Sequence, residues 1–323
     1  MARSKILGIE LLKFFAAVMI TNSHFKGLYI EPFTPLGTLG APGNALFFFI
    51  SGYTLMLGRK GSFPVWYKRR ISRIWPSVLV WTSLVGPLCF GLSLTWKDVW
   101  LAGNYWFIHC IIIYYLIFYF LIDYIERYFS IIFGSSIALS LVYFFVMPVT
   151  RLSIYQVSYH YICFLSIMFM GAYCALRYNR ENESNNKFSL GIALFLLCLF
   201  YAFQAIGKGR TGLPYYISII SLLPLHGFIY YFYKASMCDW IKKILQMNYV
   251  GKLIRFIAAL TLEIYLVGFV LCITSLNDIF PLNIIIVFGI IVLVAYVVKV
   301  ISNFVIQTFD KDPYNWKQIV VII

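Results

Sequence analysis

The sequence predicts an all-α protein, a polytopic transmembrane helical bundle of about ten spans with both termini cytoplasmic. Three observations predict it. The 323-residue chain is 62% hydrophobic and 12% charged, whereas a soluble domain is about 45–50% apolar and about 25% charged. So few charges cannot coat a water-soluble globule. Apolar stretches near the length of about 20 residues that crosses a bilayer core recur along the chain. The basic residues also sort by loop. On the side of the N-terminus 19 accumulate, from Arg3 and Lys5 through Arg59–Arg73 to Lys317, against five on the other side, Lys26, Lys97, Arg151, Lys208 and Arg210. The Lys/Arg-rich side is the cytoplasmic one.

The spans fall near 6–25, 41–57, 71–95, 104–122, 129–148, 158–177, 188–206, 214–233, 255–275 and 284–308. Basic residues precede the first stretch as in a signal peptide, but it lacks a small-residue cleavage site and further spans follow, so it reads as a retained helix. Pro76 and Pro87 predict that the third span kinks or starts late. The 178–187 stretch is a polar connector. The 234–254 loop is the longest cytoplasmic connection, with room for a surface helix. No internal repeat interrupts the pattern, so residues 1–323 read as one integral-membrane domain in a cell inner (plasma) membrane.

Net charge is +14, from 26 Lys+Arg against 12 Asp+Glu. In this context it anchors helix ends at anionic headgroups of the lipid bilayer. Nucleic acid is not an expected partner, because no basic run alternates with exposed aromatics on a polar segment. Aromatics reach 20%, and Tyr and Trp at span ends fit interfacial belts. Six of the seven cysteines lie in apolar runs and none forms a close CxxC pair, so they read as packing residues and no metal is expected.

Ionisable side chains inside a span cost several kcal/mol unless paired or hydrated, which makes each a functional candidate. The first span holds Glu10, Lys13 and His24. Lys13 and His24 are eleven residues apart, so they share a helix face and are separated by a rise of about 16 Å. Glu10 stands three residues before Lys13, within ion-pair reach. On the alternative reading, Glu10 and Lys13 snorkel to the inner headgroups and His24 sits in the outer interface. Arg70 and Arg73, in Lys68-Arg69-Arg70-Ile-Ser-Arg73-Ile-Trp-Pro76, are helix-face neighbours if the third span has begun. Paired guanidinium groups suit phosphate recognition; an ordinary positive-inside anchor is the alternative. Asn104-Tyr-Trp106-Phe-Ile-His109 opens the fourth span with belt aromatics and a histidine. Asn44 and the Ser51-Gly52-Tyr53 turn lie in the second span, and Glu263 is a buried carboxylate candidate in the ninth. His226, near Pro224, reads as a satisfied imidazole at a kink, and His160 as an interfacial one.

In their order these features resemble the membrane acyltransferase-3 family, which includes bacterial O-acetyltransferases of surface glycans. Its first-span signature, a basic residue, ten residues and a histidine, is matched by Lys13 and His24, with Glu10 as the preceding acid. Its aromatic run ending in Phe-x-Ser-Gly-Tyr is matched by Phe49-Ile-Ser51-Gly52-Tyr53. An Arg-x-x-Arg-Ile-aromatic-Pro element is matched by Arg70 through Pro76, and a Trp-Phe element with a later Tyr by Trp106-Phe107 and Tyr114 or Tyr115. Late in the chain, Thr261-Leu-Glu263-Ile-Tyr265-Leu266 is similar to a family pattern that usually ends in His, where this chain has Gly268. Lys13 stands where Arg is commoner.

The resemblance implies transfer of an acyl group, expected to be acetyl, from a cytoplasmic acyl-CoA to a hydroxyl of a cell-surface glycan or lipid-linked glycan acceptor. It implies His24, Lys13 and Glu10 as catalytic residues, and Arg70, Arg73, Lys13 and Trp106 as the binding set for acetyl-CoA. His24 would act either as base toward the acceptor hydroxyl or as a transient acyl carrier, with Asn22, Ser23 or Tyr53 as candidates to orient it. Two other readings of the chain are a flippase for lipid-linked glycan, which needs a continuous polar path, and a non-catalytic assembly protein in which Lys13 and His24 would be replaceable.

Overall fold

The computed structural model describes residues 6–91, 105–146, 159–178, 188–208, 210, 212–309 and 314–322. Asn104, residues 179–187 of the polar connector, and Arg3, Lys5, Lys97, Arg151, Arg180, Lys187 and Lys311 lie outside the described residues. Among the described residues the chain is helical and contains no strand. The principal helices are α1 (Leu7–His24), α2 (Gly40–Met56), α3 (Phe63–Ile71), α4 (Trp75–Val80), α5 (Trp106–Leu121), α6 (Ile125–Val146), α7 (Leu165–Arg177), α8 (Ser189–Gly207), α9 (Leu222–Ser236), α10 (Asp239–Gln246), α11 (Asn248–Ala259), α12 (Thr261–Gly268) and α13 (Leu282–Thr308). Helix stands at each of the ten expected positions. Among the described residues, six helical stretches are long and apolar enough to cross a membrane: Phe63–Phe90, Ile125–Val146, His160–Arg177, Ser189–Gly207, Leu213–Ser236 and Leu282–Thr308. Helices α10 and α11 occupy the long loop in which a surface helix is expected.

The prolines act on the third span as their chemistry requires. Pro76 lies in the first turn of α4, just after a turn at 72–74. Pro87 follows a π-helical turn at Trp81–Val85. A proline ring clashes with the carbonyl four residues earlier, and a widened turn relieves that clash.

The chain divides into two compact units. The first comprises residues 1–12, 44–59 and 120–251. Its core is a backbone-close crossing of α2 and α7. A Cβ on Gly52 would fall on the Met168 carbonyl, and one on Gly171 on the Phe49 carbonyl. Small residues at such crossings let helices in a membrane meet at the main chain. Phe48 stacks on Phe164 at 5.3 Å between centroids, and Phe49 and Tyr53 pack on Tyr233 of α9 at 5.2 and 5.7 Å. Gly52→Ala is therefore expected to cost about 1–3 kcal/mol by overpacking. Gly134→Ala, where an added Cβ meets nothing within 4 Å, should cost nothing; thermal unfolding in detergent compares the two.

In the same unit His226 is satisfied on both ring nitrogens, as its sequence context leads one to expect. A carbonyl can only accept, so Nδ1 carries the proton and donates to Leu222 O at 2.7 Å. Nε2 is then left to accept from the Ser166 hydroxyl, also at 2.7 Å.

The second unit comprises residues 13–43, 60–119 and 252–323. Side-chain amides tie the loop after α1 in place. Asn283 Nδ2 donates to Leu28 O at 2.9 Å and Asn277 Nδ2 to Gly27 O at 2.9 Å. A polar chain joins the turn after α4, the residue before α5, and α12 inside it. The Trp81 indole donates to Tyr105 OH at 2.6 Å, and Tyr105 donates to Leu266 O at 2.9 Å. The Glu263 carboxylate, 1% exposed, accepts from Ser77 Oγ at 2.6 Å and from Lys299 Nζ at 3.0 Å. Buried polar groups retain partners because leaving them bare costs more than the hydrogen bond gains.

Candidate active site

Helix α1 presents its apolar residues all round; Leu11, Leu12, Ala16, Ala17 and Ile20 are all buried. Such a helix is embedded rather than amphipathic, so each polar side chain on it marks a place where it meets something polar. Glu10 is buried and Lys13 half-buried. The helix ends at His24, after which a tighter 3₁₀ turn runs from Phe25 to Leu28.

His24 is held against the C-terminal end of α12 and the residues after it. Its carbonyl accepts from Cys272 Sγ at 3.3 Å. Its ring meets Phe269 edge to face at 5.6 Å and 83°. The Nδ1 atom is buried and has no hydrogen-bond partner. Thr21, three residues earlier and so on the same face, has a buried hydroxyl in the same condition. Both atoms face Gly268: a Cβ there would lie 3.6 Å from Thr21 Oγ1 and 3.9 Å from His24 Nδ1.

Two of the residues expected to orient His24, Asn22 and Ser23, are engaged elsewhere. Asn22 donates to Leu36 O and Thr38 O at 2.7 and 3.0 Å and accepts from Tyr29 OH at 2.6 Å. It thus pins the loop after α1, where burial raises the Tyr29 phenol above its ordinary pKa. Ser23 Oγ donates to Ile20 O at 2.6 Å, a back-bond within α1. Tyr53 belongs to the first unit and packs in its aromatic core.

Arg70 and Arg73 are not equivalent. Helix α3 ends at Ile71, so Arg70 lies in its last turn and Arg73 in the turn that follows. The continuous helix face that their spacing suggests is interrupted. Arg70 is buried and Arg73 exposed. The Arg70 guanidinium lies 5.2 Å from the Trp66 ring centroid, and its Nε is buried without a partner. Trp66 in turn packs on Tyr115 and Tyr119 of α5, at 6.3 and 5.3 Å. Tyr115 is one of the two tyrosines that the sequence leaves open. An open depression of about 460 Å³ runs along α3 and the turn after it, lined by Phe63, Pro64, Tyr67, Lys68, Ile71 and Ser72.

Trp106 begins α5, half-buried and edge-on to Phe107 at 6.2 Å. His109 is half-buried one turn further on, and His160 lies beside Tyr161 at 5.4 Å. Among the described residues no group of three His, Cys, Asp or Glu side chains is placed to hold a metal ion.

The second unit therefore contains Lys13, His24, Arg70, Arg73 and Trp106, and Glu10 lies in the first. Sequence reasoning passed over Thr21, and it noted Gly268 only as the residue standing where the family pattern usually has His. The first was findable, since it precedes His24 by one helical turn; the second comes close to His24 only through the tertiary fold.

Residues 6–302 match the family model of an acyltransferase domain, acyltransferase-3. Neither a curated protein nor a solved structure matches the chain significantly. With that match over most of its length, and with several helices apolar enough to span a bilayer, this chain belongs to the acyltransferase-3 family and is a multi-pass membrane acyltransferase.

Proposed function

We propose that this protein is a membrane O-acyltransferase moving an acetyl group from cytoplasmic acetyl-CoA to a hydroxyl of a cell-surface glycan or its lipid-linked precursor. In this reading it sits in the plasma membrane with ten spans and both termini in the cytoplasm. The observation that carries the reading is the buried, unpartnered Nδ1 of His24 at the outer end of α1, in a chain of this family. An imidazole nitrogen shielded from water and committed to no protein group is placed to accept a proton from an incoming hydroxyl.

In the proposed step His24 takes the acceptor's hydroxyl proton as its oxygen attacks the thioester carbonyl. A C–O bond forms, the C–S bond breaks, and the proton passes on to the departing CoA sulfur. Arg70, Arg73 and Lys13 neutralise the donor's phosphates, and Glu10, on the same helix, supplies counter-charge to Lys13. Trp106 lines the donor path. The rise of about 16 Å between Lys13 and His24 suits an extended donor with its thioester at the outer end.

The test is acetyl transfer in isolated membranes. With radiolabelled acetyl-CoA, membranes holding the protein should place label in an alkali-labile ester of envelope glycan, and membranes lacking it should not. Equal label in both overturns the reading. A separate expectation concerns the donor site. Charge-assisted hydrogen bonds are worth about 1.5–3 kcal/mol, so Arg70→Ala should raise KM for acetyl-CoA about 10- to 100-fold with kcat less affected. Arg70→Lys should recover only part, since an ammonium lacks the planar fork that stacks on Trp66 and grips phosphate. Initial rates against acetyl-CoA concentration decide it.

A further inference from the structure

We infer that Thr21 and Gly268 form the seat of the acceptor hydroxyl: Thr21 is a positioning residue for it, and the missing side chain at 268 is the room it occupies. This inference rests on the acetyl-transfer reading of His24. Three observations carry it, none of them a property of His24 alone.

The first is the Thr21 hydroxyl itself. Thr21 is 1% exposed, and its Oγ1 has no hydrogen-bond partner. Helical serines and threonines ordinarily satisfy a buried hydroxyl by donating to a carbonyl one turn back, as Ser51, Thr82 and Ser302 do in this chain. Thr21 does not, although a bare buried hydroxyl costs about 1–3 kcal/mol. The second is convergence. Thr21 Oγ1 and the equally unpartnered His24 Nδ1 are neighbours on one helix face, and both are among the three atoms nearest to a Cβ built on Gly268. The third is fit. That Cβ would make ordinary van der Waals contact, at 3.6 and 3.9 Å, so both polar atoms border the position that a side chain on residue 268 would take. A nonbonded oxygen must stand farther from the Gly268 Cα than a bonded Cβ does, and so closer to both groups, toward hydrogen-bonding reach of each.

The two groups divide the valences of a hydroxyl. Nδ1 of the neutral imidazole, protonated on Nε2, accepts the acceptor's O–H. The Thr21 hydroxyl donates to a lone pair of the same oxygen, which leaves the other lone pair free to attack the thioester carbon. As the C–O bond forms and the C–S bond breaks, the proton moves to Nδ1 and then to the CoA sulfur. Thr21 exchanges no proton. It fixes the direction of approach, which is the means by which positioned groups lower a barrier. Ser23 and Asn22, nearer in sequence to His24, cannot take this part because their donors are already committed.

The experiment measures radiolabel transfer from acetyl-CoA to envelope glycan in membranes carrying matched amounts of wild type, Thr21→Val, Thr21→Ser, Gly268→Ala and His24→Ala. Thr21→Val keeps the shape and removes the donor, and Thr21→Ser keeps the donor. Expected are a fall of about tenfold or more in kcat for Thr21→Val, with KM for acetyl-CoA within twofold of wild type, and recovery of most of that loss in Thr21→Ser. Gly268→Ala, which fills the place of the missing side chain, should lose transfer with the same unchanged KM. Transfer by both Thr21→Val and Gly268→Ala within twofold of wild type, while His24→Ala is dead, overturns the seat and leaves the acetyl-transfer reading standing. Equal losses in Thr21→Val and Thr21→Ser also overturn it, since the hydroxyl would then not be the active feature. Glycan label that is absent throughout, or indifferent to His24→Ala, removes the parent reading and the seat together.

Discussion

Replacing His24 with alanine is expected to lower acetyl transfer to envelope glycan by about 10²–10⁴-fold, the usual contribution of a positioned general base. Two features of the site set the size of the loss. Nδ1 is buried, so bulk water does not readily replace the missing base, and a solvent-exposed histidine would show a smaller effect. The donor's phosphates are assigned to Arg70, Arg73 and Lys13 and not to His24, so KM for acetyl-CoA should stay within a few-fold. A loss confined to kcat marks an interaction made in the transition state. Radiolabelled transfer at matched protein levels measures both parameters. Acid-quenched wild type should carry no label on the polypeptide; a labelled histidine would replace the base by an acyl carrier. Equal glycan label with wild type and His24→Ala would remove His24 from the chemistry.

The fold was legible where a single physical signal dominated. Long apolar runs placed helices such as α8 and α13 within a few residues, because in lipid every backbone group must be satisfied inside its own segment. Proline chemistry foretold the broken third span. The pairing of Arg70 with Arg73 on one face was not foretold correctly, because the turn at Ser72–Ile74 ends α3 between them and spacing alone carries no information on where a helix stops. Polar residues next to His24 were legible as neighbours but not as free or committed. Asn22 looks available in sequence, yet its amide closes the loop at Leu36 and Thr38. Gly268 reads locally as a missing side chain. It acquires meaning only when the fold sets it beside Thr21 and His24. Such non-local approaches leave no periodicity to read.

Lys299→Met is expected to destabilise the protein by about 3–5 kcal/mol, the cost of removing one partner from a buried ion pair. The sequence marks Glu263 as a buried carboxylate candidate, and Lys299 falls within the tenth expected span, 284–308; the fold pairs them at 3.0 Å, with the carboxylate 1% exposed. Ser77 Oγ shares the same oxygen, Oε1, and Oε2 is buried without a partner. Half of the carboxylate is thus already under-satisfied, so the charge depends heavily on Lys299. The pair joins α12 to α13, and Ser77 brings in α4. Through α12 it braces the segment that ends at Gly268 against His24. The loss should therefore appear as a lower thermal midpoint and a shorter half-life in detergent, with transfer activity falling in parallel with the folded fraction. Glu263→Gln in the Lys299→Met background removes the uncompensated charge while keeping a hydrogen-bond acceptor for Ser77. That double variant should regain most of the lost stability, because the penalty comes from the stranded charge and not from the absence of attraction. A single Lys299→Met variant as stable as wild type would mean that the carboxylate is not held by this lysine. A double variant no better than the single would move the cost to packing around the methionine.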